Sequence, residues 1–187
     1  MTTLKIHNIE TAPEESKTSL ENFQKTFGMI PDLHGVSAGA PGILEAYKTI
    51  HQLFVDSSFN NDELTVVWQT INVEHECHYC VPAHTGIAKM MKVDDAISEA
   101  LRNETPLESP KLEALRTFTL KIVRNRGHVT QEDLNAFYAV GYNETQVLEI
   151  ILGLSQKTIS NYVNHIANTP VDAGFKKFAW SKENTKA

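Results

Sequence analysis

Glu74-His75-Glu76-Cys77-His78-Tyr79-Cys80-Val81-Pro82-Ala83-His84 holds both cysteines of the chain, in Cys-x-x-Cys spacing, with a histidine four positions past the second. Pro82 fixes how this stretch folds. A proline sits in a helix without cost only in the first turn, where its missing N–H breaks no hydrogen bond. The helix that carries His84 is therefore expected to start near His78 or Tyr79 and to run to about Lys92. On it Cys80 and His84 are i and i+4, neighbours on one face that Ile87, Ala88 and Met91 continue. Cys77 falls at the cap, close enough to meet Cys80 across one turn, as a small disulfide ring requires. The free N–H groups and positive potential of a helix N-terminus favour a thiolate. His84 is placed to take the thiol proton or to stabilise the anion. An acidic cysteine, a base one turn away and a second cysteine to resolve an oxidised sulfur are what a thiol peroxidase or a disulfide oxidoreductase needs.

Other chemistries compete for the same residues. Cys77, Cys80 and His84, joined by Glu74, His75 or His78, could bind zinc, although no second Cys/His pair closes such a site elsewhere. Covalent haem attachment is excluded by Val81, because that motif needs histidine directly after the second cysteine. The helical flanks argue against a thioredoxin fold.

Outward from this stretch the chain reads as helix after helix. Towards the N-terminus, Asp62 to Val73 is rich in β-branched residues, but Leu64, Val67, Trp68 and Ile71 keep helical spacing, so a buried helix is expected. The loop Ser57 to Asn61 supplies its cap. Ile43, Leu44, Tyr47, Ile50 and Phe54 form an earlier stripe. A short helix from an Asp32 cap to about Ala38 precedes it, and a helix from Pro13 to Gly28 precedes that, behind an extended lead-in. Towards the C-terminus, Asp94 caps a helix to Arg102. Leu112 to Val123 follows, and Thr130 with Asp133 opens another helix in the manner of a capping box. Asn143 caps the longest helix, to about Asn168. Its stripe Leu148, Leu152, Ser155, Ile159, Tyr162 and Ile166, widened by Val147, Ile150, Ile151 and Leu154, predicts burial all round in the first half. Gly153 inside it signals close packing. The expectation is one all-α domain of about eight helices, with no repeat or long linker.

The bulk numbers fit this reading. The 187 residues suffice for one domain with a full core, and 41% apolar content suits a folded protein. No apolar run is long enough to span a bilayer, and no secretory signal is visible, so a cytoplasmic protein without membrane contact is expected. In that compartment paired cysteines point to redox or metal chemistry rather than a staple. The net charge of −6 argues against nucleic-acid binding. Lys176, Lys177 and the run Lys182 to Lys186 read as a solvated basic end.

Glu74-x-x-Cys77-His78-Tyr79-Cys80-x-x-x-His84 resembles the AhpD-like branch of the carboxymuconolactone decarboxylase family. Phe27 to Leu33, Ala40 to Leu44, Asn161 to His165 and Pro170 to Asp172 extend the resemblance over about residues 27–172. It implies an all-α homo-oligomer with thiol-dependent peroxidase (peroxiredoxin-type) activity on small hydroperoxides. It implies no bound cofactor or metal, and an external dithiol reductant protein. Carried over, Cys77 and Cys80 are the redox pair and His84 the relay histidine; because Cys80 stands one turn from His84, it is the expected attacking thiolate, and Cys77 the resolving thiol. Where AhpD has a glutamate twelve residues before the first cysteine, this chain has Thr65. Where AhpD has a histidine before the second cysteine, it has Tyr79. Glu74 is the substitute acid, and Glu63 a weaker candidate. A non-catalytic zinc-binding or assembly module on the same fold, and a lyase like the family's namesake, are the alternatives.

Overall fold

The computed structural model describes residues 3–182. Among them the chain is helical throughout: α1 (Glu14–Phe27), α2 (Asp32–Ser37), α3 (Pro41–Val55), α4 (Asn61–Glu74), α5 (Cys80–Met90), α6 (Asp95–Arg102), α7 (Pro110–Arg124), α8 (Gln131–Ala139) and α9 (Glu144–Ala167), then a 3-10 helix (Ala173–Phe178). Caps read from the sequence set several starts. Asn60 with Glu63 and Thr130 with Asp133 satisfy orphan N–H groups reciprocally, and the Asp94 carboxylate accepts from Ala96 N–H. At α2 the cap position belongs to Pro31, and Asp32 lies in the first turn. The Asp32 N–H is taken instead by the Asp172 carboxylate, at 3.0 Å. No helix among the described residues is long and apolar enough to cross a membrane.

α4 is the central element. Its side chains from Glu63 to Val73 are all buried, and it packs against α5, α6, α7 and α9. Burial on every side explains the β-branched residues that suggested a strand: shape against neighbours, not backbone propensity, selects them. The main core gathers Phe54, Trp68, Ile71, Phe118, Phe137 and Ile150.

α9 departs from the sequence pattern. Leu148 is 69% exposed and Ile151 41%, so its first half is not buried all round. Tyr162 and Ile166 on the same stripe are exposed as well. The buried face instead carries Gly153, Gln156, Lys157, Ser160, Asn161 and Asn164. Gly153 does mark close packing: a Cβ there would lie 2.8 Å from the Phe54 ring. Hydrogen-bonding partners on α4 and α5, described below, make a polar inner face stable.

Lys176 and Lys177 are exposed, as a solvated basic end requires, but the described chain between Pro170 and Lys182 is docked on the helices. Lys176 and Lys177 belong to the 3-10 helix, which packs on α5, and a Cβ at Gly86 would lie 2.5 Å from the Phe175 ring. Residues 183–187, with Lys186, lie outside the described residues.

Candidate functional site

The two cysteines are fixed by how α4 stops and α5 starts. Glu76, just past α4, takes a left-handed conformation (φ 55°). The N–H groups of Glu76 and Cys77 then close on the carbonyls of Val73 and Asn72, at 3.0 and 2.9 Å. This closure holds Cys77 against the end of α4. Tyr79 occupies the cap position of α5, which begins at Cys80, slightly later than Pro82 alone suggested. Both thiols are free and buried, and the first N–H of α5, on Cys80, donates to Cys77 Sγ at 3.3 Å.

α9 supplies the opposite wall. Asn164 Nδ2 donates to Cys80 Sγ at 3.3 Å, and Ser160 Oγ lies 4.0 Å from the same sulfur. One turn earlier, Lys157 is 0% exposed, and its Nζ stands 2.8 Å from His84 Nε2. Gln156, beside it, accepts from Trp68 Nε1 at 2.6 Å and contacts His51 Nδ1 at 2.9 Å. From α4, Gln69 donates to Val81 O and Thr85 Oγ1, each at 3.1 Å. Polar side chains of four helices thus satisfy most of one another's groups around the sulfurs, leaving His84 Nδ1 and Asn164 Oδ1 without a partner.

The electrostatics separate the two cysteines. Burial opposes charge on Cys80, but the Cys77 hydrogen bond, the Lys157 ammonium, the Asn164 amide and the Ser160 hydroxyl together bring its thiol down to about 6. Burial, reinforced by the hydrogen bond to Cys80, pushes the Cys77 thiol far up. The surroundings therefore favour the anion on Cys80 and the neutral thiol on Cys77. Burial, with Lys157 and His51 adding to it, holds His84 well below the usual imidazole range. His84 is thus neutral and accepts from Lys157 at Nε2, while its Nδ1 makes no hydrogen bond. Burial lowers Lys157 too, and the two sulfurs oppose that.

Of the residues singled out in the sequence, Cys77, Cys80 and His84 are brought together. Glu74 is not joined to them: both its carboxylate oxygens accept from Arg124, at 2.8 and 2.7 Å. Glu63 is held by the Asn60 cap, Tyr142 and Lys111, and Thr65 is buried in α4. His75 Nδ1 meets Asn161, and His78 Nε2 meets the Thr169 carbonyl. Tyr79 donates to Asp172 at 2.5 Å. No cluster of three or more His, Cys, Asp or Glu among the described residues is placed to hold a metal ion, so the zinc ligand set is not assembled. Lys157, Ser160 and Asn164 escaped the sequence reading, which followed the apolar stripe of α9. The signal was Gly153: the close-packing face it marks continues through Lys157, Ser160 and Asn164 at helical spacing.

The molecule is thus an all-helical protein built around a buried, electrostatically divided dithiol. No family model and no curated protein matches the chain. Solved structures do. The alkylhydroperoxidase AhpD core structure of an uncharacterized peroxidase-related protein from Ralstonia eutropha JMP134 superposes with a TM-score of 0.83, at 17% identity, over 93% of this chain and 94% of that one. An uncharacterized peroxidase-related protein from Silicibacter sp. TM1040 superposes with a TM-score of 0.79, at 19% identity, over 93% of each chain. The protein therefore has the AhpD-like, carboxymuconolactone decarboxylase-like fold over nearly its whole length. At these identities the likeness carries the fold and not the chemistry.

Proposed function

We propose that the protein is a thiol-dependent peroxidase that reduces small hydroperoxides through Cys77 and Cys80. The observation that carries this reading is the setting of the pair: Cys77 Sγ accepts the first N–H of α5 at 3.3 Å, while Cys80 Sγ accepts from Asn164 at 3.3 Å, surroundings that favour the anion on Cys80 and the neutral thiol on Cys77. The Cys80 thiolate attacks the outer peroxide oxygen, which becomes a sulfenic acid as the alkoxide leaves. Cys77 then attacks the Cys80 sulfur, closing the disulfide and releasing water. An external dithiol protein restores the pair by exchange. The unpaired Asn164 Oδ1 is an acceptor for the peroxide O–H, and the unpaired His84 Nδ1–H is a donor to a peroxide oxygen. The proton role expected of Glu74 has no geometry behind it, since Arg124 occupies that carboxylate. His84 acts through Lys157, whose Nζ it fixes by accepting its hydrogen bond.

Assembly into a homo-oligomer belongs to the same reading, with the exposed stripe Leu148, Ile151, Tyr162 and Ile166 of α9 as the contact face between copies. A Leu148→Glu/Ile166→Glu protein should then sediment as a monomer.

The deciding experiment is hydroperoxide consumption with dithiothreitol as reductant. Cys80→Ser should remove turnover to the background rate. Cys77→Ser should still allow one oxidation, to a sulfenic acid that dimedone traps. Full turnover by Cys80→Ser would sink the mechanism.

A further inference from the structure

Cleaving a peroxide bond leaves an alkoxide, and an alkoxide is a poor leaving group unless it receives a proton as it departs. Within the site few groups can give one. Glu74 is committed to Arg124, and Glu63 to Lys111, Tyr142 and the Asn60 N–H. Asp172 accepts from Tyr79 and from the Asp32 N–H. His84 presents the Nε2 lone pair to Lys157 and keeps its ring proton on Nδ1, where a neutral imidazole N–H is a far weaker acid than an ammonium. The Lys157 ammonium carries three N–H donors, of which one is spent on His84. Among the described residues the other two have no hydrogen-bond acceptor, and Lys157 stands on the face of α9 whose next turns place Ser160 Oγ 4.0 Å and Asn164 Nδ2 3.3 Å from Cys80 Sγ.

We propose that Lys157 is the proton donor of the reaction: its ammonium protonates the alkoxide that leaves when Cys80 cleaves the peroxide bond, and the resulting amine then takes the proton of the Cys77 thiol. This step rests on the peroxidase reading given above. Its balance closes without a further reagent. The Cys80 thiolate and the hydroperoxide give a sulfenic acid and an alkoxide, and Lys157 turns the alkoxide into an alcohol. The neutral amine deprotonates Cys77, whose thiolate displaces hydroxide from the sulfenic acid, and Lys157 returns that proton to make water. The oxidised protein therefore holds a neutral Lys157 beside the disulfide, and reduction by the external dithiol recharges both. The loss of the anion on Cys80 is what lets the lysine stay neutral, since burial disfavours an unpaired charge.

The test separates the donor from a mere counter-charge. Arginine keeps the positive charge but does not release its proton, and methionine removes both. Single-turnover rates of the full-length protein are measured with tert-butyl hydroperoxide, whose leaving group needs a proton, and with peracetic acid, whose leaving acetate does not. Each rate is divided by the iodoacetamide rate of the same preparation, which corrects for folded fraction and thiolate content. Rates are followed against pH, because Cys77, Cys80 and His84, His51 from α3 and His75 after α4 all lie within electrostatic reach of Lys157.

For Lys157→Arg and Lys157→Met the corrected tert-butyl hydroperoxide rate should fall by about 100-fold or more, the contribution of a general acid, while the corrected peracetic acid rate stays at the wild-type level. Equal losses on both oxidants, or none on either, would overturn the donor and leave the peroxidase standing. If the arginine protein does not fold, the wild type still decides: a shallow dependence of rate on leaving-group basicity supports the donor and a steep one overturns it. Fast alkylation of Cys80 with no consumption of either oxidant overturns the peroxidase reading itself, and the donor with it.

Discussion

Phe118 and Lys157 are almost equally inaccessible, 3% and 0% exposed, and they stand in two regions built on different principles. Phe118 stacks on Phe137 at 4.3 Å between ring centroids, within an apolar cluster where α4, α7 and α8 meet. That region gains its stability from area removed from water and from close packing. Lys157 lies where α9 meets the cysteine turn, among Gln156, Ser160, Asn161 and Asn164. Hydrogen bonds there recover only what desolvation costs, so the polar region adds little net stability. It adds instead a buried lysine on the wall of α9 that lines the Cys80 sulfur. The fold keeps its apolar packing in one cluster and its dithiol in the other, and α4 and α9 run through both.

Substitution should pull the two regions apart. Phe118→Ala should destabilise the protein by about 3–5 kcal/mol in urea, the usual result of emptying an aromatic core position. Lys157→Met should shift stability by no more than about 1–2 kcal/mol, since loss of a buried charge is set against an orphaned His84 Nε2. Yet it should slow iodoacetamide alkylation of Cys80 at neutral pH by at least about tenfold, because without the ammonium most of the Cys80 sulfur becomes a neutral thiol there. A Lys157→Met protein as destabilised as Phe118→Ala would make the two regions alike and undo the contrast.

The pH profile bears on the same point. A lowered thiol pKa means that the Cys80 anion is present above the lowered value and lost below it. The wild-type alkylation rate should therefore rise through about 6 and level near neutrality. An ordinary thiol would still be climbing at about 8.5. Levelling only in that alkaline range would remove the Lys157–Cys80 pairing from the account.

Two smaller effects mark the borders of the regions. Gly153→Ala forces a methyl group against the Phe54 ring, 2.8 Å away. The overpacking, about 1–3 kcal/mol, should exceed the roughly 1 kcal/mol of helix propensity gained, and so lower the melting temperature. Glu74→Gln disrupts a partly exposed ion pair with Arg124 and should cost about 1 kcal/mol or less, with Cys80 alkylation unchanged. An alkylation rate that falls with this substitution would return Glu74 to the chemistry.

Much of the fold is legible in the sequence. Asn60, Asp94 and Thr130 announce their helices because a cap is a local event, settled by a side chain and the backbone two or three residues on. Pro82 places the start of α5, and with it the pairing of Cys77 with Cys80, through a steric rule that needs no distant partner. α9 is legible as a helix but not as an oriented one. Its apolar stripe predicts the buried face, and the structure buries the other, because Lys157, Ser160 and Asn164 find their partners on α5 and in the cysteine turn, dozens of residues earlier in the chain.

Residue order alone was enough for the helices, the cysteine pair and the histidine one turn beyond it, all consequences of short-range sterics and hydrogen bonding. The choice of Cys80 over Cys77 was already an expectation from the residue order, but the groups that surround its sulfur, Asn164, Ser160 and Lys157, came from the packing of helices far apart in the chain. A charge is buried only where distant groups compensate it, and for that reason Glu74 leaves the place expected of it and Lys157 enters the site: Arg124 draws the acid out to α7, while Cys80 and His84 draw the lysine in.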